Sequence, residues 1–412
     1  MRILFVHERF GSLGGAEANA LITAHELKQG GHEVALLHGP STGKGEENWR
    51  RTFASLYFLE GGASSASHAV QAFRPDLVYV HKMADLLVIE QLIASGLPLV
   101  RMVHDHDIYC MRSYKYFPRT REICTRSASL YCVFGCGAFV TRNRDGKFPL
   151  KYVSYSDKRR EISLNHRFDR TITVSQFMKE QLVANGFDSS KIEIFPPVPR
   201  PGEASLRSDF SDRNLIVYAG QIIRGKGVDV LIESLALLKN RFECIILGEG
   251  SHREYCEELA RRLGVGDRVH FKGFVPQEEL KNYYRECSVM ALSSVWPEPI
   301  ATIGLEVMRY ALPVVAFDAG GVRDWLHDGV NGFLVPWMDR QAFAAALDRL
   351  LADKRLARQL GENGFDLVSK SYDFKSYIQG LEKLFERVIA EKRGEGNAPA
   401  PLSKDVPTLA LA

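Results

Sequence analysis

Two glutamates stand in the stretch WPEPIATIGLEVMRY (296–310), where a turn leads into a predicted helix. Glu298 lies in the Pro-Glu-Pro turn before the helix, and Glu306 lies about two turns inside it. A carboxylate accepts hydrogen bonds from hydroxyl groups, so Glu298 could bind a sugar and Glu306 a ribose. The alternative is that both are solvated carboxylates near a helix start, where glutamate is favourable.

The start of that helix offers a second kind of binding group. Its first backbone N–H groups have no intrahelical acceptor, and the helix dipole makes this end positive. Both properties favour a bound anion, so the helix start is a candidate site for a diphosphate. The N–H groups concerned belong to Ala301, Thr302 and Ile303.

Two cations follow another predicted strand, in VYAGQIIRGKGVDVLIESL (217–235). Arg224 and Lys226 lie in the loop between this strand and a helix, and glycines flank Lys226. Cations at the carboxyl end of a strand suit a diphosphate, and in a dry cleft they stabilise the charge of a leaving phosphate. The alternative is a basic surface turn. Two more glycine turns at carboxyl ends of strands, LGEG (247–250) and FKGFVP (271–276), contain Gly248 and Phe274.

The elements that must position these residues alternate between strands and helices. Continuous apolar runs such as ILFV (3–6) and NLIVYAG (214–220) predict buried parallel strands, and helical patterns lie between such runs. Strand–helix alternation indicates a parallel sheet with helices on both faces, and it occurs twice along the chain. We therefore expect an α/β protein of two Rossmann-like, doubly wound domains that face each other across a ligand-binding cleft.

Composition predicts where these domains begin and end. A proline-rich polar stretch separates the two series of strands, and the chain ends in a Pro/Ala/Gly-rich segment. The expected order is a first domain at 1–200 with a cysteine-rich insertion at 105–170, a linker at 201–212, a second domain at 213–370, a helix at 371–393 that packs back toward the first domain, and a disordered tail at 394–412.

Overall composition excludes several classes of protein. The chain has 412 residues, of which 45% are hydrophobic and 25% charged, as in ordinary globular proteins. No apolar run reaches the ~18–20 residues of a membrane-spanning helix. The N-terminal MRILFVHERF predicts a strand rather than a signal peptide, and seven cysteines without such a signal favour a reducing cytoplasm. A net charge of +3 gives no indication of nucleic acid as a partner.

The second half of the chain, about 214–390, resembles the retaining, family-four glycosyltransferases of the GT-B fold. The resemblance is carried by GQIIRGKG, LGEG, FKGFV, EPIATIGLE, LPVVAFDAGG and DGVNGFLV, which occur in the family's order. The first half matches more weakly, through GSLGGAE (11–17), MVHDHD (102–107) and VSQFMKEQL (174–182). The resemblance implies a first domain on the acceptor side and a second domain that binds a nucleotide sugar.

The resemblance also implies roles for the charged residues. Glu298 would bind hydroxyls of the donor sugar, Glu306 the ribose of the nucleotide, and Lys226 the donor diphosphate. The family often has an arginine directly after the strand glycine, where this chain has Gln221. We expect Arg224 to supply that cation instead.

Backbone positions of the donor site follow from the same resemblance. The family often has Phe-Gly after Glu-Pro, whereas Ile300 and Ala301 follow in this chain, so a methyl group is added where the backbone meets phosphate. His104 would touch the donor sugar near the reacting carbon, which makes His104, Lys226 and Glu298 the expected catalytic residues. The implied donor site is completed by Gly14, Gly15, Gly248, Phe274, Ile300, Ala301 and Thr302.

The implied function is transfer of a sugar, with retained anomeric configuration, from a nucleotide-diphosphate donor to a glycan or lipid-linked acceptor. Such a reaction would serve the synthesis of cell-surface polysaccharide or glycolipid in the cytoplasm. Catalysis is expected to need no cofactor, because Lys226, Arg224 and the helix start stabilise the leaving diphosphate. The alternatives are a nucleotide-sugar epimerase or a phosphorylase of the GT-B fold, or a non-catalytic protein of that fold that binds sugar nucleotides or glycans.

Two patterns in the first half suggest other chemistry. Asp105-His106-Asp107 follows a strand, and in another glycosyltransferase class such a triplet holds a divalent metal on the donor diphosphate. That class has a single sheet domain, so metal-dependent chemistry is disfavoured for this chain. The glycine loop 11–15 is not GxGxxG, and the second strand closes with His38 rather than an acidic residue, which disfavours a dinucleotide-dependent dehydrogenase.

Four of the cysteines are clustered in the predicted insertion. Four thiolates could form a closed, structural zinc site that staples this insertion. Their spacing lacks the usual close pair at one end, so free thiols are the alternative, and an iron–sulfur cluster is less favoured. The residues are Cys110, Cys124, Cys132 and Cys136.

Positive charge is concentrated in the same part of the chain. Residues 101–170 contain 15 Lys or Arg against 7 Asp or Glu, with interleaved aromatic residues as in YKYF (114–117) and YVSY (152–155). Such a face could meet an anionic membrane surface or a lipid-diphosphate acceptor, which would make the protein peripheral at the inner face of the membrane. The alternative is an ordinary solvated face. No recognition motif for nucleic acid accompanies the charge.

Overall fold

A computed structural model of the chain describes residues 1–12, 14–60, 64–142, 150–198, 207–211 and 213–395. The chain divides into two compact units. Of the described residues, the first unit contains those within Met1–Tyr114, Thr125–Pro197 and 375–395, and the second those within Lys115–Cys124 and Val198–Phe374. The predicted linker at 201–212 and tail at 394–412 lie largely outside the described residues.

The first unit is built on a parallel sheet whose strands are the predicted apolar runs. Seven strands of the described residues form it, in the order β3-β2-β1-β4-β5-β8-β9, so the strand order reverses between β1 and β4. A separate antiparallel hairpin, β6-β7, interrupts the series. The strands are β1 (Arg2–His7), β2 (Glu33–His38), β3 (Ser55–Phe58), β4 (Leu77–Val80), β5 (Leu99–Val103), β6 (Val140–Arg142), β7 (Leu150–Tyr152), β8 (Arg170–Thr173) and β9 (Ile192–Ile194).

Helices connect the parallel strands of the first unit, and side-chain caps fix where several of them begin. Asp85 accepts hydrogen bonds from the backbone N–H groups of Leu87 and Val88, and Ser175 accepts one from Met178, which satisfies donors that a helix start leaves unpaired. The helices are α1 (Gly15–Gln29), α2 (Glu46–Thr52), α3 (Ser64–Phe73), α4 (Leu86–Ala94), α5 (Tyr131–Phe134), α6 (Tyr155–Asn165) and α7 (Gln176–Ala184).

The second unit contains another parallel sheet. Six strands of the described residues form it, in the order β12-β11-β10-β13-β14-β15, and the order reverses between β10 and β13. This is the strand order of a Rossmann fold. The strands are β10 (Leu215–Ala219), β11 (Glu243–Leu247), β12 (Val269–Gly273), β13 (Val289–Leu292), β14 (Val314–Phe317) and β15 (Gly332–Val335).

Helices cover this second sheet and then return the chain to the first unit. A one-turn 3₁₀ helix, Arg224–Lys226, links β10 to the next α-helix. The helices are α8 (Val228–Leu235), α9 (Arg253–Arg262), α10 (Gln277–Tyr284), α11 (Thr302–Met308), α12 (Arg340–Ala352), α13 (Lys354–Ser371) and α14 (Phe374–Arg393). From Lys375 onward α14 belongs to the first unit, where Glu382 lies 2.9 Å from His32 Nε2.

The α/β architecture of two Rossmann-like units that the sequence predicts is confirmed. The structure also contains elements that the sequence pattern did not indicate, among them α2, β3, α3 and the β6-β7 hairpin. Lys115–Cys124, a part of the predicted insertion at 105–170, belongs to the second unit although the residues on either side belong to the first. In the part of the chain that the structure describes, no helix combines the length and apolar character needed to cross a bilayer.

Candidate functional site

The site of the second unit lies where its strand order reverses. Strands β10 and β13 are neighbours in the sheet. Strands β11 and β12, which follow β10 in sequence, lie on one side of this pair, and β14 and β15, which follow β13, lie on the other side. In parallel sheets of this kind, ligands bind beyond the carboxyl ends of the strands at such a point. The loop after β10 carries Arg224 and Lys226, and the loop after β13 carries Glu298.

Glu298 and Lys226 form an ion pair at this edge of the sheet. Lys226 Nζ donates to Glu298 Oε1 over 2.6 Å, and the indole N–H of Trp296 donates to the same oxygen over 2.8 Å. The hydroxyl group of Ser294 donates to it as well. All three donors meet Oε1, and the described residues give Oε2 no donor. One carboxylate oxygen therefore anchors the loop, and the other remains available to a ligand hydroxyl group.

These contacts keep the Glu298 carboxyl group ionised although it is only 3% exposed. Burial alone would raise its pKa, because it disfavours the charged form. The charge of Lys226 and the hydrogen bonds from Lys226, Ser294 and Trp296 outweigh burial and hold the pKa below its usual value. The site therefore holds a carboxylate at neutral pH, which can accept hydrogen bonds but cannot donate them.

The loop that carries Lys226 is fastened to the loop that carries Glu298. The carbonyl oxygen of Gly225 accepts from the backbone N–H groups of Val295, at 2.9 Å, and Trp296, at 3.1 Å. Gly227 has a φ of 66°, and a Cβ there would lie 2.0 Å from the carbonyl oxygen of Ser293. Only glycine fits this close approach, so the GKG sequence allows the two loops to pack together.

The predicted helix start is present one residue later than expected. Helix α11 begins at Thr302, and Ala301 before it has a left-handed conformation with a φ of 58°. The indole N–H of Trp325 donates to the carbonyl oxygen of Ile300 over 2.6 Å, which holds the turn before the helix. Trp325 is fully buried, and its ring lies so close to Gly304 that a Cβ there would be 2.1 Å from it.

Replacing Ala301 with glycine is expected to stabilise the protein by about 0.5–1 kcal/mol, because a left-handed conformation is costly for alanine and not for glycine. Urea unfolding of the purified variant measures this free energy. The matched control is Ala345→Gly, at an exposed position inside α12, which should destabilise the protein by about 1 kcal/mol. A destabilised Ala301→Gly variant would contradict the prediction.

Arg224 has partners that the sequence did not suggest. Its guanidinium group donates to the backbone carbonyl oxygens of Pro118, at 2.7 Å, and Arg119, at 3.3 Å. Both acceptors belong to the segment Lys115–Cys124, which packs in the second unit. In the structure the guanidinium group therefore holds a neighbouring segment, whereas Lys226 holds Glu298.

The other residues of the second unit that were expected in a donor site differ in their surroundings. Gly248 follows β11 with a φ of 146°, and a Cβ there would lie 1.9 Å from the carbonyl oxygen of Gly220. Phe274 follows β12 and is 77% exposed, unusually high for a phenylalanine. Thr302 and Glu306 lie on α11 and are both partly buried.

Three predicted residues belong to the first unit. Gly14 precedes the first helical residue, Gly15, and its N–H donates to Glu17 Oε2 over 2.9 Å. His104 follows β5, and its Nε2 lies 2.9 Å from Nδ1 of His81, which follows β4. His104 is thus part of a histidine pair at the carboxyl edge of this sheet, next to the point where its strand order reverses.

Burial keeps the histidines of this edge neutral. Burial, reinforced by His7, Lys82 and Arg101, lowers the pKa of His104 to about 3. Burial likewise lowers the pKa of His7 to about 4, and burial and the neighbouring His104 hold the pKa of His81 well below its ordinary value. At neutral pH His104 is therefore an uncharged hydrogen-bonding group, which does not act as a cation toward a ligand.

These low pKa values predict that the first unit loses stability in mild acid. Below about pH 6.5 the histidines of the unfolded chain bind protons that the native histidines do not, so the free energy of unfolding falls with pH. His7 and His104 each contribute up to about 1.4 kcal/mol per pH unit between pH 6.5 and 4. Urea unfolding at pH 7, 6 and 5 measures the slope. His104→Asn should reduce this slope by the contribution of one proton. A free energy of unfolding that does not change with pH would contradict the prediction.

The two carboxylates of the Asp105-His106-Asp107 triplet form ion pairs with Lys82. Lys82 Nζ lies 2.6 Å from an Asp105 oxygen and 3.0 Å from an Asp107 oxygen. Among the described residues, no three His, Cys, Asp or Glu side chains are grouped as a metal site requires. The structure therefore supports a cationic partner, Lys82, for the two carboxylates.

Among the described residues, none of the four clustered cysteines forms a disulfide. Cys124 belongs to the second unit and the other three to the first, and Cys136 Sγ lies 3.3 Å from Arg112 Nε. The described residues form no group suited to a metal ion, and the zinc staple stays a prediction from the sequence. Metal analysis of purified protein by mass spectrometry tests it. One zinc per chain is expected for the staple, and less than about 0.1 zinc per chain would contradict it.

Sequence reasoning missed the residues that support the expected ones. Ser294 and Trp296 bind Glu298, Trp325 holds the turn at Ile300, and His81 holds His104. The run SSVWPE (293–298) could have indicated Ser294 and Trp296, because both stand within four residues of Glu298 in sequence. Trp325 and His81 are distant in sequence from the residues they hold, and no local pattern indicates them.

Two family models match the chain, one in each half. The model described as Glycosyltransferase Family 4 matches residues 13–198, and the model described as Glycosyl transferases group 1 matches residues 207–366. Apart from Lys115–Cys124, which lies within the first match but belongs to the second unit, the matches agree with the division into two units. The second model spans the loops that carry Lys226 and Glu298.

Curated relatives match over shorter regions. The alpha-D-kanosaminyltransferase of Streptomyces kanamyceticus is 30% identical over 192 residues, which cover 46% of this chain and 50% of that protein. The lipopolysaccharide core biosynthesis glycosyltransferase LpsE of Rhizobium meliloti is 31% identical over 158 residues, which cover 38% of this chain and 45% of that protein. The chain thus spans about half the length of these relatives.

A solved structure matches almost the whole chain. The crystal structure of Anabaena HepE in complex with UDP gives a TM-score of 0.71, covering 93% of this chain and 99% of that one, at 20% identity. At this identity the likeness shows the fold, which is the GT-B fold. Because one family model matches each half of the chain, the chain belongs to the family-four glycosyltransferases.

Proposed function

We propose that the protein is a retaining glycosyltransferase that moves a sugar from a nucleotide-diphosphate donor to a glycan or lipid-linked acceptor. It would act in the cytoplasm in the synthesis of cell-surface polysaccharide or glycolipid. The observation that carries the proposal is the Lys226–Glu298 pair, at the point of the second sheet where its strand order reverses. Supporting it, one relative is named for lipopolysaccharide core synthesis and one solved neighbour holds UDP.

The pair can bind both parts of such a donor. The ammonium group of Lys226 has three protons, one of which binds Glu298, and its side chain is partly exposed. The other protons can bind a diphosphate oxygen. Glu298 Oε2 can accept a hydrogen bond from a sugar hydroxyl group, so the pair would bind the diphosphate and the sugar on either side of the bond that breaks.

The chemistry of the transfer is chiefly a problem of charge. As the sugar leaves, the diphosphate gains negative charge and the anomeric carbon becomes positive, and Lys226 stabilises the diphosphate. In the proposed front-face reaction, the leaving phosphate takes the proton of the acceptor hydroxyl group on the face where the new bond forms. The configuration at the anomeric carbon is then retained, and the proposed reaction uses no metal.

The other residues expected in the donor site have supporting places in this proposal. The exposed ring of Phe274 can stack on a nucleobase, and Glu306 can bind the ribose hydroxyl groups. In the first unit, neutral His104 can bind a sugar hydroxyl group. One alternative is an epimerase, which would isomerise the sugar nucleotide. The other is a non-catalytic protein, which would bind the sugar nucleotide and release no product.

A thermal-shift screen with uridine, guanosine and adenosine diphosphate sugars tests donor binding. A ligand that binds only the folded state at 100 times its Kd adds about 2.7 kcal/mol of stability, so the correct donor should raise Tm clearly. Released nucleotide and a glycosylated acceptor are then expected with lipid or glycan acceptors. Binding without nucleotide release would support a non-catalytic protein, and isomerised sugar nucleotide an epimerase. No binding of any nucleotide sugar would contradict the proposal.

We also propose that the first unit makes a peripheral contact with an anionic membrane. Near its β6-β7 hairpin several large apolar side chains are exposed, among them Phe134 at 83% and Tyr152 at 74%. Between Arg126 and Arg160 the sequence has eight Lys or Arg and two acidic residues. Exposed aromatic groups among cations suit the boundary between anionic headgroups and lipid chains.

Sedimentation with phosphatidylglycerol–phosphatidylcholine vesicles tests the contact. The protein should sediment with these vesicles, less at high salt, and weakly with phosphatidylcholine alone. Leu150→Ser with Tyr152→Ser should reduce sedimentation, whereas the matched control Leu87→Ser, at an exposed site on α4, should not. Equal sedimentation of all variants, or none with anionic vesicles, would contradict the contact.

A further inference from the structure

The segment Lys115–Cys124, which we call the strap, is a small folded element of the second unit. Tyr116 and Ile123 form an antiparallel bridge, and the Cys124 N–H donates to the carbonyl oxygen of Lys115 over 2.8 Å. The Arg121 N–H donates to the carbonyl oxygen of Phe117 over 2.8 Å. The strap has therefore its own backbone hydrogen bonds, although in sequence it lies within the first half of the chain.

A buried ion pair fastens the strap to the second unit. Arg121 binds Asp229 through both guanidinium nitrogens, with Nη1 3.2 Å from Oδ1 and Nη2 2.5 Å from Oδ2. Both residues are less than a tenth exposed. Asp229 lies in the first turn of α8, directly after the loop that carries Lys226. A bidentate arginine–carboxylate pair of this kind fixes the relative orientation of the two side chains in addition to neutralising their charges.

The strap also contacts the Arg224–Lys226 turn itself. The guanidinium group of Arg224 binds the carbonyl oxygens of Pro118 and Arg119. A Cβ on Gly225 would lie 3.3 Å from the Tyr116 hydroxyl group and 3.4 Å from the Trp296 ring, so Gly225 is closely flanked by both. The turn thus lies between the strap and the loop that carries Glu298.

The turn needs such support because its own structure is weak. It is a single 3₁₀ turn of three residues, and this hydrogen-bond geometry is poorer than that of an α-helix. Gly225 and Gly227 add backbone freedom on either side of Lys226. Contacts from outside the turn therefore decide how often Lys226 occupies its place beside Glu298.

We propose that the strap is a positioning element for donor binding, in which Arg121 and Asp229 hold the Arg224–Lys226 turn in its binding conformation. The proposal rests on the proposed function for the identity of the ligand. Loosening the strap lowers the fraction of molecules with Lys226 in place, and the apparent Kd for the donor rises in proportion. Saturating donor restores that fraction, so KM rises while kcat changes little.

Two measurements test the proposal. Calorimetry gives Kd for uridine, guanosine and adenosine diphosphates. Steady-state kinetics then uses the nucleotide sugar that contains the diphosphate with the lowest Kd. Arg121→Met and Asp229→Asn should each raise Kd and KM about tenfold and leave kcat within about twofold. The charge-swapped double variant, Arg121→Asp with Asp229→Arg, should recover most of the affinity. The matched control Arg262→Met, on an exposed side chain of α9 in the same unit, should leave Kd unchanged.

Hydrogen exchange of the peptide covering 222–230 gives a readout that needs no ligand. Exchange there should be faster in Arg121→Met and Asp229→Asn than in the wild type, and as slow as the wild type in the swapped variant. Thermal melting identifies any variant that fails to fold, and the milder Asp229→Asn then carries the test. Wild-type exchange and wild-type Kd in a folded Asp229→Asn variant would overturn the proposal. If wild-type protein binds no diphosphate, the proposed function fails, and exchange alone decides whether the strap holds the turn.

Discussion

Replacing Lys226 with methionine is expected to reduce kcat/KM for sugar transfer by a factor of about 10²–10³, the usual loss for one group that stabilises developing charge. Methionine keeps much of the length and packing of the lysine, including contact with Trp296, whose ring lies 5.0 Å from Lys226 Nζ. What it removes is the positive charge beside Glu298. Binding of the free nucleoside diphosphate should weaken too, because the diphosphate loses a partner in the ground state as well.

Steady-state kinetics with the donor found in the thermal screen measures the loss for Lys226→Met. The control is Lys239→Met, at an exposed lysine of the same unit, which should keep wild-type rates. Wild-type turnover in Lys226→Met would contradict the site assignment, since no step proposed for the leaving group would then depend on this charge.

Glu298→Gln is expected to separate sugar recognition from diphosphate binding. If the glutamine oxygen occupies the position of Oε1, it accepts the hydrogen bonds from Lys226, Ser294 and Trp296, and the loop keeps its structure. The amide nitrogen then stands at the position of Oε2, where a donor replaces an acceptor. A charge-assisted hydrogen bond to the sugar is lost, which should reduce kcat/KM about 10- to 100-fold.

The signature of Glu298→Gln is the difference between two ligands. Affinity for the free nucleoside diphosphate should stay near the wild-type value, while affinity for the nucleotide sugar and the transfer rate fall. Glu233→Gln on α8 is the matched control, because its carboxylate binds Arg340 on α12 instead of facing this site. Equal losses for both ligands would show that Glu298 acts only by holding Lys226, and unchanged kinetics would remove Glu298 from the site.

Local pattern was sufficient to predict the fold class, and it singled out Lys226 and Glu298, which the structure pairs. Buried parallel strands are continuous apolar runs, so runs such as ILFV and NLIVYAG indicate the sheets without knowledge of what covers them. Lys226 and Glu298 each stand in a loop directly after such a strand. Since parallel strands present their carboxyl ends at one edge, the two residues could be expected to meet.

Prediction was weaker where an element is short or polar. Helix α2 and strand β3 have little apolar periodicity, and the β6-β7 hairpin has exposed side chains on β7, so their sequences resemble loops. The first residue of α11 was misplaced by one position, because Ala301 takes a left-handed conformation that its identity does not suggest.

The sequence by itself determined the repeated strand–helix order and the chemistry available at the strand ends, because both depend on residues close together in the chain. Only the tertiary structure decided what each of these groups touches. Arg224, which was expected to bind phosphate, donates to the carbonyl oxygens of Pro118 and Arg119 in the strap, a contact that its sequence surroundings do not indicate. Such contacts join residues about a hundred positions apart, and they depend on how packed elements bring side chains together, which no local spacing records.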